Sequence, residues 1–281
     1  MTFSFPFWLT LHSMKPMYFF MGLLLGAAGI LAASAQAVEP DAFMQSTQMI
    51  VVTTPDWNAV EGTLQRYERG TSQEAWRPIG EPIAIVVGQK GMGWGIGVIA
   101  TDDSKVRLAS DPIKKEGDDK SPAGIFTLGT AFGDASQPLP GLKTPYLHLT
   151  PSIECVDDSS SKYYNRVVDR STVVPDWKSS EHMRSVGEAY RWGIVVGHNG
   201  GDMMDHANPP VPGGGSCVFL HIWGSPTRGT AGCTAMSQNQ LETLLTWLEP
   251  TRKPLLVQLP APAYARLARR WGLPSAVSRL R

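Results

Sequence analysis

Two residues with the chemistry of a cysteine nucleophile and its base lie within residues 213–236. His221 interrupts the apolar run 218–223, which glycine-rich and Gly-Ser-Pro segments bound, so we expect it on a buried strand. Cys233 follows Gly232 in a loop of small residues, shortly before a helical pattern. A free thiol has a pKa of about 8.5 and needs a nearby base or dipole to form the thiolate. We therefore predict that Cys233 is a nucleophile and His221 its base.

Two other interpretations compete with this pair. An isolated histidine or cysteine in an apolar setting is usually a core residue without chemistry. Cys217, His221 and Cys233 are also a possible zinc set. Residues four apart on a straight strand are about 13 Å apart, too far to share one ion, so we expect no metal.

Backbone groups and the remaining cysteines add two expectations. Gly232 lets the chain approach a substrate closely, so its N–H and that of Cys233 are candidate donors to an oxyanion. Because the cysteines number three, at least one of them cannot form a disulfide within the chain. Either Cys155 and Cys217 pair and leave Cys233 free, or all three are unpaired.

The N-terminal segment 1–37 is predicted to be a secretory signal peptide. Lys15 precedes an apolar run, and Ala35-Gln36-Ala37 has the small-x-small pattern of a cleavage site. The alternative is an uncleaved membrane anchor, because the run is close to spanning length. The cleavage pattern favours export, which places the mature protein, soluble, in the periplasm or cell envelope.

Composition and strand patterns favour one mostly β, β-rich α+β domain over residues 42–260. Lysine plus arginine equals aspartate plus glutamate, 25 each, so no net charge argues for nucleic acid. We predict a helix with Ser237 as its N-cap and Ser-Pro-Ala-Gly, 121–124, as a tight turn. The predicted strands cover residues 48–52, 62–68, 83–87, 125–128, 146–149, 192–196, 218–223 and 255–259.

Residues 261–281 are predicted to form a basic tail that follows the domain. Its arginines lack acidic neighbours, and Tyr264, Leu267 and Trp271 have helical spacing. A helix on anionic lipid or wall polymer is one interpretation, and a solvated surface helix is the other.

The ordered motifs resemble the L,D-transpeptidase (YkuD-type) catalytic domain family. The resemblance rests on Gly117-Asp118 with Ser121-Pro122-Ala123-Gly124-Ile125-Phe126, then His221, then Thr230-Ala231-Gly232-Cys233. It implies mixed β-sheets with a helix flanking the cysteine loop. It also implies that Cys233 is the nucleophile, that His221 is the base, and that the Ile222 carbonyl orients the imidazole. No cofactor is implied.

The chain departs from this family pattern within the cysteine loop. Ala231 stands where the family usually has a second histidine, and Ala235 where asparagine or arginine is frequent. We expect other side chains to make the missing substrate contacts, with Arg228, Thr230 and Asn199 as candidates.

The resemblance implies an exported cysteine acyltransferase that acts on peptidoglycan stem peptides through a thioester. The acyl acceptor would be a second stem or a lysine of an envelope lipoprotein. Two alternatives remain open. Water would resolve the same thioester in an amidase or L,D-carboxypeptidase, and a cell-wall binding protein would use no nucleophile.

Overall fold

The computed structural model describes Met1 and residues 41–99, 105–204 and 208–274. Apart from Met1, the predicted signal peptide 1–37 lies outside the described residues, as does 275–281 of the basic tail. No helix in the described part of the chain has the length and apolar character needed to span a bilayer.

Strands dominate the described residues, which confirms the predicted mostly β fold. The strands are β1 Gln48–Thr54, β2 Glu61–Glu68, β3 Arg77–Val86, β4 Met92–Trp94, β5 Ser121–Gly133, β6 Tyr146–His148, β7 Ile153–Val156, β8 Val167–Asp169, β9 Ser180–His182, β10 Trp192–Val196, β11 Phe219–Ile222, β12 Thr234–Met236 and β13 Leu255–Pro260. The helices are α1 Asp41–Gln45, α2 Gln238–Trp247 and α3 Ala261–Leu267, with 3₁₀ segments Arg170–Thr172, Met183–Tyr190 and Pro250–Arg252.

A large mixed sheet carries the cysteine and the histidine. Its strand order is β10-β11-β12-β3-β2-β1-β13-β5-β4, with β6 also on β5. The long strand β5 pairs with β13 through residues 124–127 and with β10 through residues 128–133, so the circuit of pairings closes on itself. β1 is nearly all buried because it lies between antiparallel β2 and parallel β13. That setting explains its continuous apolar run.

A smaller sheet, in the order β8-β7-β9, lies outside this circuit. β7 is central and pairs antiparallel with both neighbours, which places Glu181 of β9 directly opposite Cys155 of β7. Met183–Tyr190 follows β9 and leads into β10 of the large sheet. Along the chain, the small sheet therefore comes just before β10, which is the neighbour of β11, the strand that carries His221.

Two local expectations were wrong. Residues 121–124 are not a turn but the start of β5, where Met92 to Trp94 pair with Ser121 to Ala123. The tail begins as α3, which packs on β1 and β13; Tyr264 and Leu267 of this helix, and Trp271 shortly after it, are buried in the main core. The described part of the tail is therefore continuous with the domain, and its helix is not a solvated one.

Candidate active site

The predicted nucleophile and base come from two adjacent parallel strands, since Cys233 directly precedes β12 and His221 is the third residue of β11. β11 and β12 pair with Leu220 opposite Thr234 and His221 opposite Ala235, so Cys233 stands directly before β12. The Phe219 N–H donates to Cys233 Sγ at 3.3 Å. Cys233 is 8% exposed and His221 9%, and both line the same cleft of about 470 Å³. The structure thus brings the two residues together at one solvent opening.

A backbone carbonyl fixes the orientation of the imidazole. His221 Nδ1 lies 2.8 Å from the Ile222 carbonyl oxygen, which is the contact that the family resemblance implied for Ile222. Because a carbonyl only accepts, Nδ1 carries the proton and Nε2 is left with its lone pair. The ring of Tyr190 packs edge-on against the imidazole, with 5.3 Å between ring centroids. His221 is therefore held in the tautomer that a general base requires.

The resting pair is electrically neutral. Burial, together with the charge of Glu181, raises the pKa of Cys233 to about 12, although the Phe219 N–H, Lys114 and Tyr190 act in the opposite direction. Burial also lowers the pKa of His221 to about 4, against a smaller opposing effect of the Ile222 carbonyl. At neutral pH the site therefore holds a thiol beside an unprotonated imidazole, and the thiol proton must move when the sulfur attacks.

Hydroxyl groups on both sides hold the cysteine loop in place. Ser121 Oγ donates to the Cys233 carbonyl at 2.7 Å and accepts from the Gly88 N–H at 2.8 Å. Thr230 Oγ1 donates to the same carbonyl at 2.6 Å. The motif at the start of β5 thus contributes to the site through its serine, by fixing the backbone that presents the thiol.

Thr230 also engages one of the two expected oxyanion donors. The Gly232 N–H donates to Thr230 Oγ1 at 3.1 Å. Gly232 has a φ of +155°, a backbone conformation that favours glycine. In this arrangement the Gly232 amide serves the loop, and it would bind an oxyanion only after giving up this bond. Thr230 accordingly has a structural role in the resting site.

The other two predicted substrate residues lie in different places. Arg228 is exposed and lines the cleft. Asn199 is fully buried outside the cleft lining, and its amide donates to the carbonyls of Val211 and Gly215 while its Oδ1 accepts from the Val211 N–H. Its side chain fixes the loop that leads toward β11. We therefore retain Arg228 and assign Asn199 to this loop.

A disulfide joins Cys155 to Cys217, with 5.9 Å between the Cα atoms, and leaves Cys233 as the free thiol. Of the two alternatives that the sequence leaves open, the structure therefore has the one in which Cys155 and Cys217 pair. It also removes Cys217 from the three-residue zinc set, because its sulfur is bonded to another cysteine. The Cys217 carbonyl lies 3.5 Å from Cys233 Sγ, so the crosslinked residue touches the nucleophile.

Several further polar residues line the cleft, and four that sequence patterns did not select affect the electrostatics of Cys233 or of Glu181. These four are Lys114, Asp157, Glu181 and Tyr190. Lys114 is paired with Asp118 at 2.6 Å, and its side chain is 4% exposed. Only Lys114 carries a sequence signal, because it lies just before the Gly117-Asp118 part of the motif. The other three come from polar or loop segments with no pattern that would single them out.

A comparison with protein-family models agrees with this architecture. Residues 56–257 match the YkuD family, described as the L,D-transpeptidase catalytic domain. A comparison with curated proteins finds no relative close enough to match.

Among solved structures, the chain is similar to that of the helical cell-shape-determining protein Pgp2 from Campylobacter jejuni, with 16% identity and a TM-score of 0.31. That match covers 76% of this chain and 50% of that one, so the chain spans about half the length of the Pgp2 structure. The family match covers most of the sequence and confirms the resemblance seen in the motifs: the chain belongs to the YkuD family of L,D-transpeptidase catalytic domains.

Proposed function

We propose that this protein is an exported cysteine acyltransferase that acts on peptidoglycan stem peptides through a thioester on Cys233. The observation that carries the proposal is the pairing of the free thiol with an imidazole whose Nδ1 is bonded to the Ile222 carbonyl, in one cleft. Membership of the family supports the substrate class.

The proposed reaction begins with proton transfer from the Cys233 thiol to Nε2 of His221 as the sulfur attacks a stem-peptide carbonyl. The carbonyl oxygen becomes an oxyanion, and the backbone at Cys233 is its nearest expected donor. Collapse of this intermediate expels the terminal amine, which takes the proton from His221. An acyl thioester remains on Cys233.

The acceptor then attacks this thioester while His221 removes its proton. An amine of a second stem, or of an envelope lipoprotein, gives a new amide, whereas water gives a trimmed stem. Arg228 is the exposed cation at the cleft, and we assign it to a carboxylate of the peptide. The predicted signal peptide supports action in the periplasm.

Mass spectrometry after exposure to a carbapenem tests the nucleophile. We expect an adduct that maps to Cys233 and that is absent from Cys233→Ser, the matched control of nearly equal size. Incubation with a disaccharide-tetrapeptide then identifies the acceptor: a crosslinked dimer indicates transfer, and a shortened monomer indicates hydrolysis. An unmodified Cys233 together with unchanged peptide would contradict the proposal and favour a binding protein.

A further inference from the structure

Lys114 places a buried cation in the wall of the cleft that holds Cys233. Its side chain is 4% exposed, and its backbone N–H donates to the carbonyl of Trp94, the last residue of β4, at 2.9 Å. Its ammonium group donates to Asp118 Oδ1 at 2.6 Å and to the Lys115 carbonyl at 2.8 Å. Because a buried charge is costly unless it is paired, the carboxylate explains how the cleft wall can hold this cation.

The ammonium group of Lys114 keeps one donor in reserve. A lysine side chain has three N–H donors. Among the described residues, two of the three have acceptors, which are the Asp118 carboxylate and the Lys115 carbonyl. The third is left for a group that enters the cleft.

The same ammonium group lies against the backbone of the cysteine loop. A Cβ atom built on Gly232 would be 3.7 Å from Lys114 Nζ, and one built on Gly215 would be 3.0 Å from Lys114 Cε. Glycine at both positions therefore allows the lysine to approach the chain closely. Nζ is thus placed beside the segment that carries the N–H groups of Gly232 and Cys233.

This segment needs a further donor when a carbonyl is attacked. The Gly232 N–H donates to Thr230 Oγ1 at 3.1 Å, which leaves the Cys233 N–H as the expected backbone donor to an oxyanion. Donors that are fixed before the reaction stabilise a developing charge most, because they need no reorganisation. The ion pair with Asp118 fixes Lys114 in this way.

We propose that Lys114 is a catalytic residue whose third N–H donates to the oxyanion formed when Cys233 attacks a carbonyl. This inference rests on the proposed function, in which the cysteine forms a thioester. In the attack, the bond from Sγ to carbon forms, the carbonyl π electrons move to the oxygen, and the thiol proton goes to His221 Nε2. Lys114 keeps its proton throughout. When the amine leaves, the oxygen becomes a carbonyl again and its bond to the ammonium weakens.

Lys114→Met removes the donor and keeps a side chain of similar length. Loss of one oxyanion donor lowers the rate of acyl transfer about 100- to 1000-fold. The charge of Lys114 also favours the thiolate by lowering the pKa of Cys233, so every reaction of the thiol should slow. A rise of one in that pKa reduces the thiol reactivity only about threefold, because the nucleophilicity of the thiolate increases. A reaction without an oxyanion therefore separates the two effects.

The test compares acylation of Cys233 by a carbapenem with its alkylation by iodoacetamide, which forms no oxyanion. For Lys114→Met at pH 8, we expect the maximal acylation rate to fall at least about 100-fold and the alkylation rate about threefold. Asp118→Asn keeps the ammonium group and should lose far less acylation than Lys114→Met. Lys143→Met, which removes an exposed lysine paired with Glu249, is the matched control and should react as the wild type does.

A second variant keeps the test decisive if Lys114→Met does not fold. Lys114→Met combined with Asp118→Asn removes both charges of the pair, so no unpaired charge stays buried. We expect the same loss of acylation from this double variant. Its urea midpoint shows whether the fold is kept.

Three results would overturn the inference while the wild type still forms its adduct and the proposed function stands. They are equal slowing of acylation and alkylation in Lys114→Met, equal losses of acylation in Lys114→Met and Asp118→Asn, and a higher half-saturating carbapenem concentration with an unchanged maximal rate. The second indicates a purely structural ion pair, and the third a contact with the carboxylate of the carbapenem. If the wild type processes the tetrapeptide without an adduct, kcat for the peptide replaces the acylation rate. If it is alkylated but does neither, the proposed function fails and this inference with it.

Discussion

The Cys155–Cys217 disulfide should stabilise both the domain and the position of the nucleophile. Cys155 lies on β7, and Cys217 lies just before β11 at a φ of +55°, with its N–H bonded to Asn165 Oδ1 at 3.0 Å. The carbonyl of Cys217 contacts Cys233 Sγ. Opening the bond therefore removes the covalent link between the small sheet and the segment that leads into the strand carrying His221.

The sequence separation of 62 residues sets the expected size of the effect. Closing a loop of this length restricts the unfolded chain, and the chain-entropy relation gives a stabilisation of about 4 kcal/mol. With a urea m-value of about 2 kcal/mol/M, the unfolding midpoint should fall by about 2 M when the bond is removed.

Urea unfolding of the wild type with and without a phosphine reductant measures this change, beside the double variant Cys155→Ala, Cys217→Ala. The reduced wild type and the double variant should unfold at similar midpoints, and the reductant should not affect the double variant. We also expect slower acylation of Cys233 in both. A midpoint that is unchanged after reduction, with two new free thiols confirmed by mass, would refute this reasoning.

Three further substitutions test other parts of the site. Ser121→Ala leaves the buried Gly88 N–H without its acceptor and should cost about 1–3 kcal/mol in urea unfolding; an unchanged midpoint would contradict the role of this hydroxyl. Burial raises the folded-state pKa of Glu181 to about 7, so the wild type loses stability as the pH rises from 4.5 to above 7, whereas Glu181→Gln does not. The free energy of unfolding of Glu181→Gln should therefore rise relative to that of the wild type by at most about 3 kcal/mol over this interval. A pH-independent difference in unfolding free energy would refute this. Arg228→Ala should raise KM for the tetrapeptide about tenfold with little change in kcat, whereas Arg77→Ala, a matched exposed arginine paired with Glu74, should change neither; equal kinetics of the two variants would argue against the carboxylate contact.

The elements that the sequence predicts best are those with a complete local signal. β1, β10, β11 and β13 have short apolar runs bounded by turn residues, and the structure places strands at each of them. Helix α2 follows Ser237, as its spacing of leucines indicates. Because β11 and the cysteine loop are adjacent in sequence, the pairing of Cys233 with His221 is also predictable.

Local signals fail where a distant partner decides the structure. Ser-Pro-Ala-Gly has the composition of a turn, yet pairing with β4 and β13 makes it a strand. Asn199 follows a strand end, where polar residues often face a site, but the loop before β11 uses its amide. The spacing of apolar residues in α3 predicts a helix. It does not predict that this helix is buried, because the strands that cover it, β1 and β13, lie elsewhere in the chain.

The same reasoning explains why the polar residues of the cleft wall beside the small sheet could not be selected from the sequence. The family usually places a second histidine at position 231, whereas here Ala231 offers no polar group to the cleft. Tyr190 and Glu181 line the cleft from the side of the small sheet instead, and Glu181 lies opposite a cysteine of the disulfide. These polar side chains of the cleft thus belong to a part of the chain that pairs with the disulfide-bearing strand β7. Such an arrangement requires a compartment in which the disulfide forms, and this agrees with the export that the N-terminal sequence predicts.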